Sequence, residues 1–202
     1  MTLQLYYQDA YIRQFEATVK EVLDNKLIIL DKTAFYPQGG GQPSDIGSLT
    51  CNGELYIVNH VGKSEGKILH EVEKPGLKEG DKITGQINWE KRYKLMRMRT
   101  AAHTIAAIMH QQATALITGN QLDEEVSRID FSLENFNREQ IEQYIEQANQ
   151  YIKKNLPVKS YLIPIEEAKN IPEISRLAAF NLDKIAVNNQ IRIVEIQGLD
   201  KQ

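Results

Sequence analysis

One cysteine, one tryptophan and six prolines in 202 residues put several constructions out of reach. The lone Cys51 excludes an intramolecular disulfide and any metal site assembled from several thiolates of this chain. No run approaches the ~18 consecutive apolar residues that a membrane span requires. The opening MTLQLYYQDAYIR also lacks the apolar stretch of a secretory signal, so a cytoplasmic protein that does not engage membrane is expected. A net charge of -3 argues against a protein that is basic overall, although a local basic patch can still grip nucleic acid. Glycine is sparse at 12 residues, yet three stand together at 39–41, inside TAFYPQGGGQPSDIG.

What is present is the composition of a folded domain: 42% hydrophobic and 25% charged residues, enough to bury a core in one large or two small domains. Up to about residue 88 the chain reads as short β-strands. EATVKEV (16–22), KLIIL (26–30), ELYIVNHV (54–61), KILHEV (67–72) and KITGQINW (82–89) are separated by turn-forming DN, NG, KSEG and KPGLKEGD. This spacing predicts a small barrel, with Val72, Ile83 and Ile87 pointing inward and Gly80 and Asp81 in a turn.

At Trp89 the period changes. The 28 residues from Trp89 contain no Gly or Pro, and Leu95, Met98, Ala102, Ile105 and Met109 recur at helical steps, which predicts one long helix. RIDFSL (128–133) returns to strand alternation. Asn137 and Gln140 resemble a capping box that opens a helix striped by Ile141, Ile145, Ala148 and Ile152 and closed by Pro157. KSYLIP, EEAKN and QIRIVEIQGL follow as strand, short helix and strand, with Ile191, Ile193 and Ile196 as buried candidates. The expected class is α+β: a small N-terminal β-barrel domain over 1–88, then a two-layer α/β domain over 89–202 with the long helix packed on a sheet.

Three features carry candidate chemistry. KRYKLMRMR (91–99) has five basic residues and no acidic one, and reads either as a solvated face or as a grip on a phosphate backbone through Arg92, Arg97 and Arg99. His103 has Ala107 one turn on, and His110 lies two turns on. The rise of roughly 10.5 Å is too long for two imidazoles that must each reach a zinc at ~2.0–2.1 Å. His60 and His70 read as partly exposed polar residues of the β half. The glycine block has Thr33, Tyr36, Gln42, Ser44 and Asp45 beside it, and no Gly-Lys-Ser/Thr follows, which argues against a nucleoside triphosphate loop. It reads either as a loop presented to a substrate or as a turn that locks two domains together.

TAFYPQGGGQPSDIG, then RMRTAAH on a helix, then TGNQ followed by SRIDF, then RIVEIQGLDKQ, occur in that order over nearly the whole chain. Together they resemble the AlaX family of free-standing alanyl-tRNA editing proteins in its longer, two-domain form, relatives of the editing domain of alanyl-tRNA synthetase. The resemblance implies an aminoacyl-tRNA deacylase that hydrolyses mischarged alanine tRNA, typically carrying serine and otherwise glycine, with zinc in its editing core. With such a substrate, Thr118, Gln121, Thr33, Gln42, Gly39, Gly40 and Gly41 are the expected substrate-binding residues and Arg92, Arg97 and Arg99 of the basic run the expected tRNA-backbone contacts, while the resemblance itself implies a metal-ligand role for His103. The family pattern is His-x-x-x-His on the helix, in which His103 takes the first place and Ala107 stands at the second. A Cys-Gly-Gly-Thr-His type segment normally follows a strand such as QGLDKQ, and the sequence stops at Gln202 before one. With three of four ligands absent, stable zinc binding by this chain is not expected. The alternative is a non-catalytic tRNA-binding module that keeps the editing fold.

Overall fold

A computed structural model describes residues 2–133, 135, 137–171, 174 and 189–201. In chain order the first elements are β1 (Leu3–Gln4), a 3-10 turn (Leu5–Tyr7), β2 (Gln14–Leu23), β3 (Leu27–Leu30), β4 (Lys32–Thr33), β5 (Gly47–Cys51), β6 (Glu54–Ser64), β7 (Lys67–Val72) and β8 (Lys82–Ile87). Then come α1 (Trp89–Ala113), β9 (Ile117–Gln121), β10 (Arg128–Phe131), α2 (Arg138–Lys153), β11 (Val158–Pro164), α3 (Ile165–Ala168), β12 (Gln190–Ile196) and β13 (Asp200–Lys201). The protein is mixed α+β. It divides into two compact units, Met1–Met96 with Gln121–Val126, and Arg97–Asn120 with Ser127–Gln202. The change of period at residue 88 marks the start of α1, whereas the division between units falls inside that helix, after Met96.

The first unit is a closed barrel in the order β2-β3-β7-β6-β5-β8, all neighbours antiparallel, completed by β2 against β8 from Gln14↔Gln86 to Thr18↔Lys82. Closure leaves no free sheet edge. The strand alternation of the sequence puts Val19, Ile28, Leu30, Leu49, Val58, Val61, Val72, Ile83 and Ile87 in its core. The strand missed by sequence reading is β5, GSLTC, which is short and polar on one side but closes the barrel by joining β6 to β8.

His70 departs from expectation. It is fully buried on β7, with the edge of Phe35 against it. Its Nδ1 bonds to the Ile28 carbonyl (2.9 Å) and its Nε2 to the Thr33 hydroxyl (2.8 Å). Nδ1 therefore donates and Nε2 accepts from the hydroxyl, which is the neutral imidazole. Burial depresses its pKa from 6.5 to about 4.

The second unit contains β9 paired with β10 and the sheet β11-β12-β13. Ile105, Ala107 and Ile108 of α1 pack with Tyr144, Ala148 and Tyr151 of α2 and with Ile196 and Leu199 at the end of β12. Asn137 caps α2, its side chain accepting from the Gln140 amide at 3.2 Å. The expected stripe on α2 is only partly correct. Ala148 is buried, but Ile145 and Ile152 are 43% and 48% exposed, because the packed face is the Tyr144–Ala148–Tyr151 line, whose larger rings reach the core. Ile191, Ile193 and Ile196 of β12 are buried as expected, and the first two pack on Ile165 and Ala168 of α3. Among the described residues no helix is long and apolar enough to cross a membrane.

Because His70 is neutral when folded and takes a proton when unfolded, the unfolded chain binds more protons between pH 6.5 and about 4. Its contribution is complete above pH 6.5 and is lost as pH falls, amounting to about 3 kcal/mol of folding stability by pH 4. Urea denaturation at pH 7 and pH 4.5 should show this loss in the wild type. His70→Gln, destabilised at pH 7, should show a smaller further loss across the same window.

Candidate functional site

Tyr36 and Asp45 pair across the base of the glycine-rich segment. The Asp45 amide donates to the Tyr36 carbonyl (2.9 Å), and the Tyr36 amide donates to Asp45 Oδ2 (2.6 Å). Nearer the tip, Gly39 and Gln42 exchange both backbone hydrogen bonds at 3.1 Å. The two residues between them, Gly40 (φ 61°) and Gly41 (φ 76°), have the left-handed backbone that a two-residue hairpin turn requires at both central positions. The turn therefore accounts for two of the three glycines. The tip is exposed at 39–41 while Gln42 is 6% exposed, and the Leu122 amide donates to the Gly41 carbonyl at 2.7 Å.

Beneath this hairpin lies Arg92. It is 3% exposed, not solvated, which corrects its reading as a phosphate-backbone contact. Its guanidinium engages both carboxylate oxygens of Asp45, itself 1% exposed, through Nε (2.9 and 3.0 Å) and Nη2. The remaining donors reach two carbonyls, Nη1 to Ala10 (2.9 Å) and Nη2 to Ala34 (2.6 Å). A fork of donors around a planar cation suits this task, in which one side chain satisfies a buried carboxylate, a buried carbonyl and a half-buried one. Arg97 is exposed and Arg99 half-buried, and neither forms an ion pair with a described residue. They keep the properties a backbone grip needs. Thr33 is wholly buried, its hydroxyl shared between His70 Nε2 and the Phe35 amide (3.1 Å), so it is a barrel residue and not a substrate contact.

In the second unit, TGNQ is strand, not loop: it forms most of β9. Thr118 is exposed on β9, and Gln121, three residues along, is turned to the opposite face by strand alternation, so the two do not converge. Gly119 lies against Asp130 of β10, where an added Cβ would stand 2.7 Å from Oδ2. Asp130 also pairs with Arg128 at 3.3 Å, with side chains 45% and 69% exposed.

His103 Nδ1 lies 3.2 Å from Asp200 Oδ2, with side chains 17% and 13% exposed. A proton on Nδ1 shared with the carboxylate leaves the Nε2 lone pair available to a proton or a ligand. Asp200 was missed from sequence because 97 residues separate the pair. Ala107, one turn after His103 on the same face of α1, brings no ligating atom to this group. It is 4% exposed within the α1–α2 core, and Arg99, one turn before His103, is half-buried. Among the described residues no three His, Cys, Asp or Glu side chains come together. His103 and Asp200 alone do not fit a zinc that takes three or four protein ligands. His110 is separate, its Nδ1 facing the Ala115 carbonyl at 3.3 Å.

The chain is 44% identical to the alanyl-tRNA editing protein AlaX-M of Methanosarcina acetivorans over 207 residues, covering 98% of this chain and 84% of that protein. The chain belongs to the AlaX family of alanyl-tRNA editing proteins. AlaX-M of Saccharolobus solfataricus is 42% identical, over 100% of this chain and 84% of its own length. The alanine–tRNA ligase of Pyrobaculum neutrophilum is 36% identical over 83% of this chain but only 19% of the ligase. A family profile described as tRNA synthetases class II (A) matches residues 5–91, which take in the barrel, the glycine hairpin and the start of α1.

Replacing Arg92 by Met leaves Asp45 buried without its cation and should cost roughly 3–5 kcal/mol in urea denaturation. Arg97→Gln and Arg99→Gln should each stay within about 0.5 kcal/mol of the wild type while lowering the salt dependence of tRNA binding. A stable Arg92→Met with weakened tRNA binding would reverse the assignment.

Proposed function

We propose that this protein is a trans-editing deacylase that hydrolyses the ester joining a wrong amino acid to the terminal ribose of alanine tRNA, acting in the cytoplasm without a nucleoside triphosphate. The observation that carries this reading is the identity with AlaX-M proteins along 98% of the chain. Serine is the proposed amino acid, with glycine next. Serine differs from alanine by one hydroxyl, which an alanine pocket rejects poorly, so the error calls for a second site that bonds the hydroxyl. The Thr118 hydroxyl on β9 is the proposed reading group. His103, oriented by Asp200, supplies a proton acceptor for the attacking water through Nε2. Zinc, the family's cofactor, is proposed not to be held stably by His103 and Asp200 alone.

A second reading is favoured by a specific observation. The position expected to hold a second histidine, one turn after His103, is Ala107, an alanine of the α1–α2 core with no ligand or base to offer. A chain so altered acts as a tRNA-binding module that keeps the fold without hydrolysis.

Release of serine from Ser-tRNA(Ala) should be measured with added zinc, with EDTA and with neither. Release above the buffer rate, sparing Ala-tRNA(Ala) and falling roughly a hundred-fold in His103→Ala, is the expected result. No release under any condition, with tRNA binding retained, would establish the binding module instead.

A further inference from the structure

Tyr11, Trp89 and Tyr93 form an aromatic cluster on the outside of the first unit that neither the barrel core nor the hairpin uses. Trp89 stacks on Tyr93 (centroids 5.6 Å, planes 23° apart) and meets Tyr11 at 5.6 Å and 44°. The Arg13 guanidinium lies 4.3 Å over the indole. Tyr11 is 59% exposed and Tyr93 42%, so two large rings are held in water.

The backbone under them is fixed. Asn88 bonds to the Ile46 carbonyl and caps α1 through the Lys91 amide (3.1 Å), which sets Trp89 and Tyr93 at the first turns. Arg13 accepts from the Ile87 amide at 2.9 Å, and buried Arg92 holds Ala10, the residue before Tyr11. Two exposed cations lie at the rings. Arg13 has no ion pair among the described residues and Lys94 follows Tyr93; of the two nearby carboxylates, Asp9 turns an oxygen to the Tyr11 amide (2.8 Å) and Glu90 is exposed in the first turn of α1.

Preorganised rings with a free face and an unpaired cation beside them are the chemistry that holds unpaired nucleotides, by stacking bases and attracting the phosphates between them. We infer that Tyr11, Trp89, Tyr93 and Arg13 form a stacking platform for unpaired nucleotides of an RNA. This rests on the reading of tRNA as the ligand and gives residues of the first unit a contact to its single-stranded part.

Trp89 is the only tryptophan, so its emission reports on the platform directly. A ten-nucleotide single-stranded RNA, the same strand annealed into a duplex, and heparin are titrated into the whole protein. Saturable quenching by the single strand, with the duplex and heparin at least ten-fold weaker, is expected. Tyr93→Ala and Tyr11→Ala should each weaken binding roughly ten-fold at unchanged thermal melting, and Tyr93→Phe should retain it. Absence of saturable quenching, equal response to duplex or heparin, or full affinity in both alanine variants would overturn the platform. Deacylation of Ser-tRNA(Ala) by the same sample separates the two readings, since activity with an unresponsive Trp89 removes the platform and leaves the proposed function standing.

Discussion

A single buried ion pair, Arg92 with Asp45, organises the first unit. Taking a carboxylate and a guanidinium out of water costs several kcal/mol for each, repaid only where geometry is good and every remaining donor finds an acceptor. Here four of the five N–H groups are placed: the fork spans both oxygens of Asp45 and then reaches Ala10 and Ala34. Through those contacts one side chain on α1 ties together the base of the glycine hairpin, the segment that carries Tyr11 and the strand of the chain that leads into the hairpin. An ion pair is a weak source of stability compared with apolar packing, and its value lies in fixing which surfaces face outward. The exposed glycine tip and the exposed aromatic rings are both held from beneath by this buried charge.

The two chemical groups of the molecule are distinct in kind. The hairpin offers backbone, with Gly40 and Gly41 in a conformation that side chains resist, and its tip carries almost no side-chain chemistry of its own. The His103–Asp200 pair offers an oriented imidazole, positioned by α1 and the end of the β12–β13 hairpin. With Ala107 one turn after His103 and no third ligating side chain beside the pair among the described residues, this chain's own chemistry is a matter for measurement instead of transfer from its relatives.

The barrel was legible because its strands alternate and its turns carry Gly, Asn and Asp: five of its six strands follow directly from that pattern, and α1 from its unbroken helical period. What escaped was long-range. KITGQI reads as a strand by itself, but nothing local says that GSLTC must lie beside it. A basic run reads as solvated or phosphate-binding, and only the fold puts Arg92, alone of its neighbours, against Asp45, 47 residues away. His70 sits in an ordinary alternating strand, and its burial depends on Ile28 and Thr33 arriving opposite. The stripe on α2 failed for a simpler reason, since Tyr144 and Tyr151 reach farther than the isoleucines that hydropathy favoured. The candidate site was legible as residue types but not as pairs: His103 was visible, Asp200 was not, and Thr33 and Gln42 were grouped with the glycines although the fold buries both.

If the Arg92–Asp45 pair holds the hairpin, its loss must be felt at the hairpin before the barrel opens. Native-state hydrogen exchange in Asp45→Asn reads this at the Gln42 and Leu122 amides, which bond to the Gly39 and Gly41 carbonyls. Protection at these two amides should fall well below that of barrel amides such as Val19 and Val72, through a local opening absent from the wild type. Unchanged protection at Gln42 and Leu122, with any loss spread evenly over the barrel, would contradict the account.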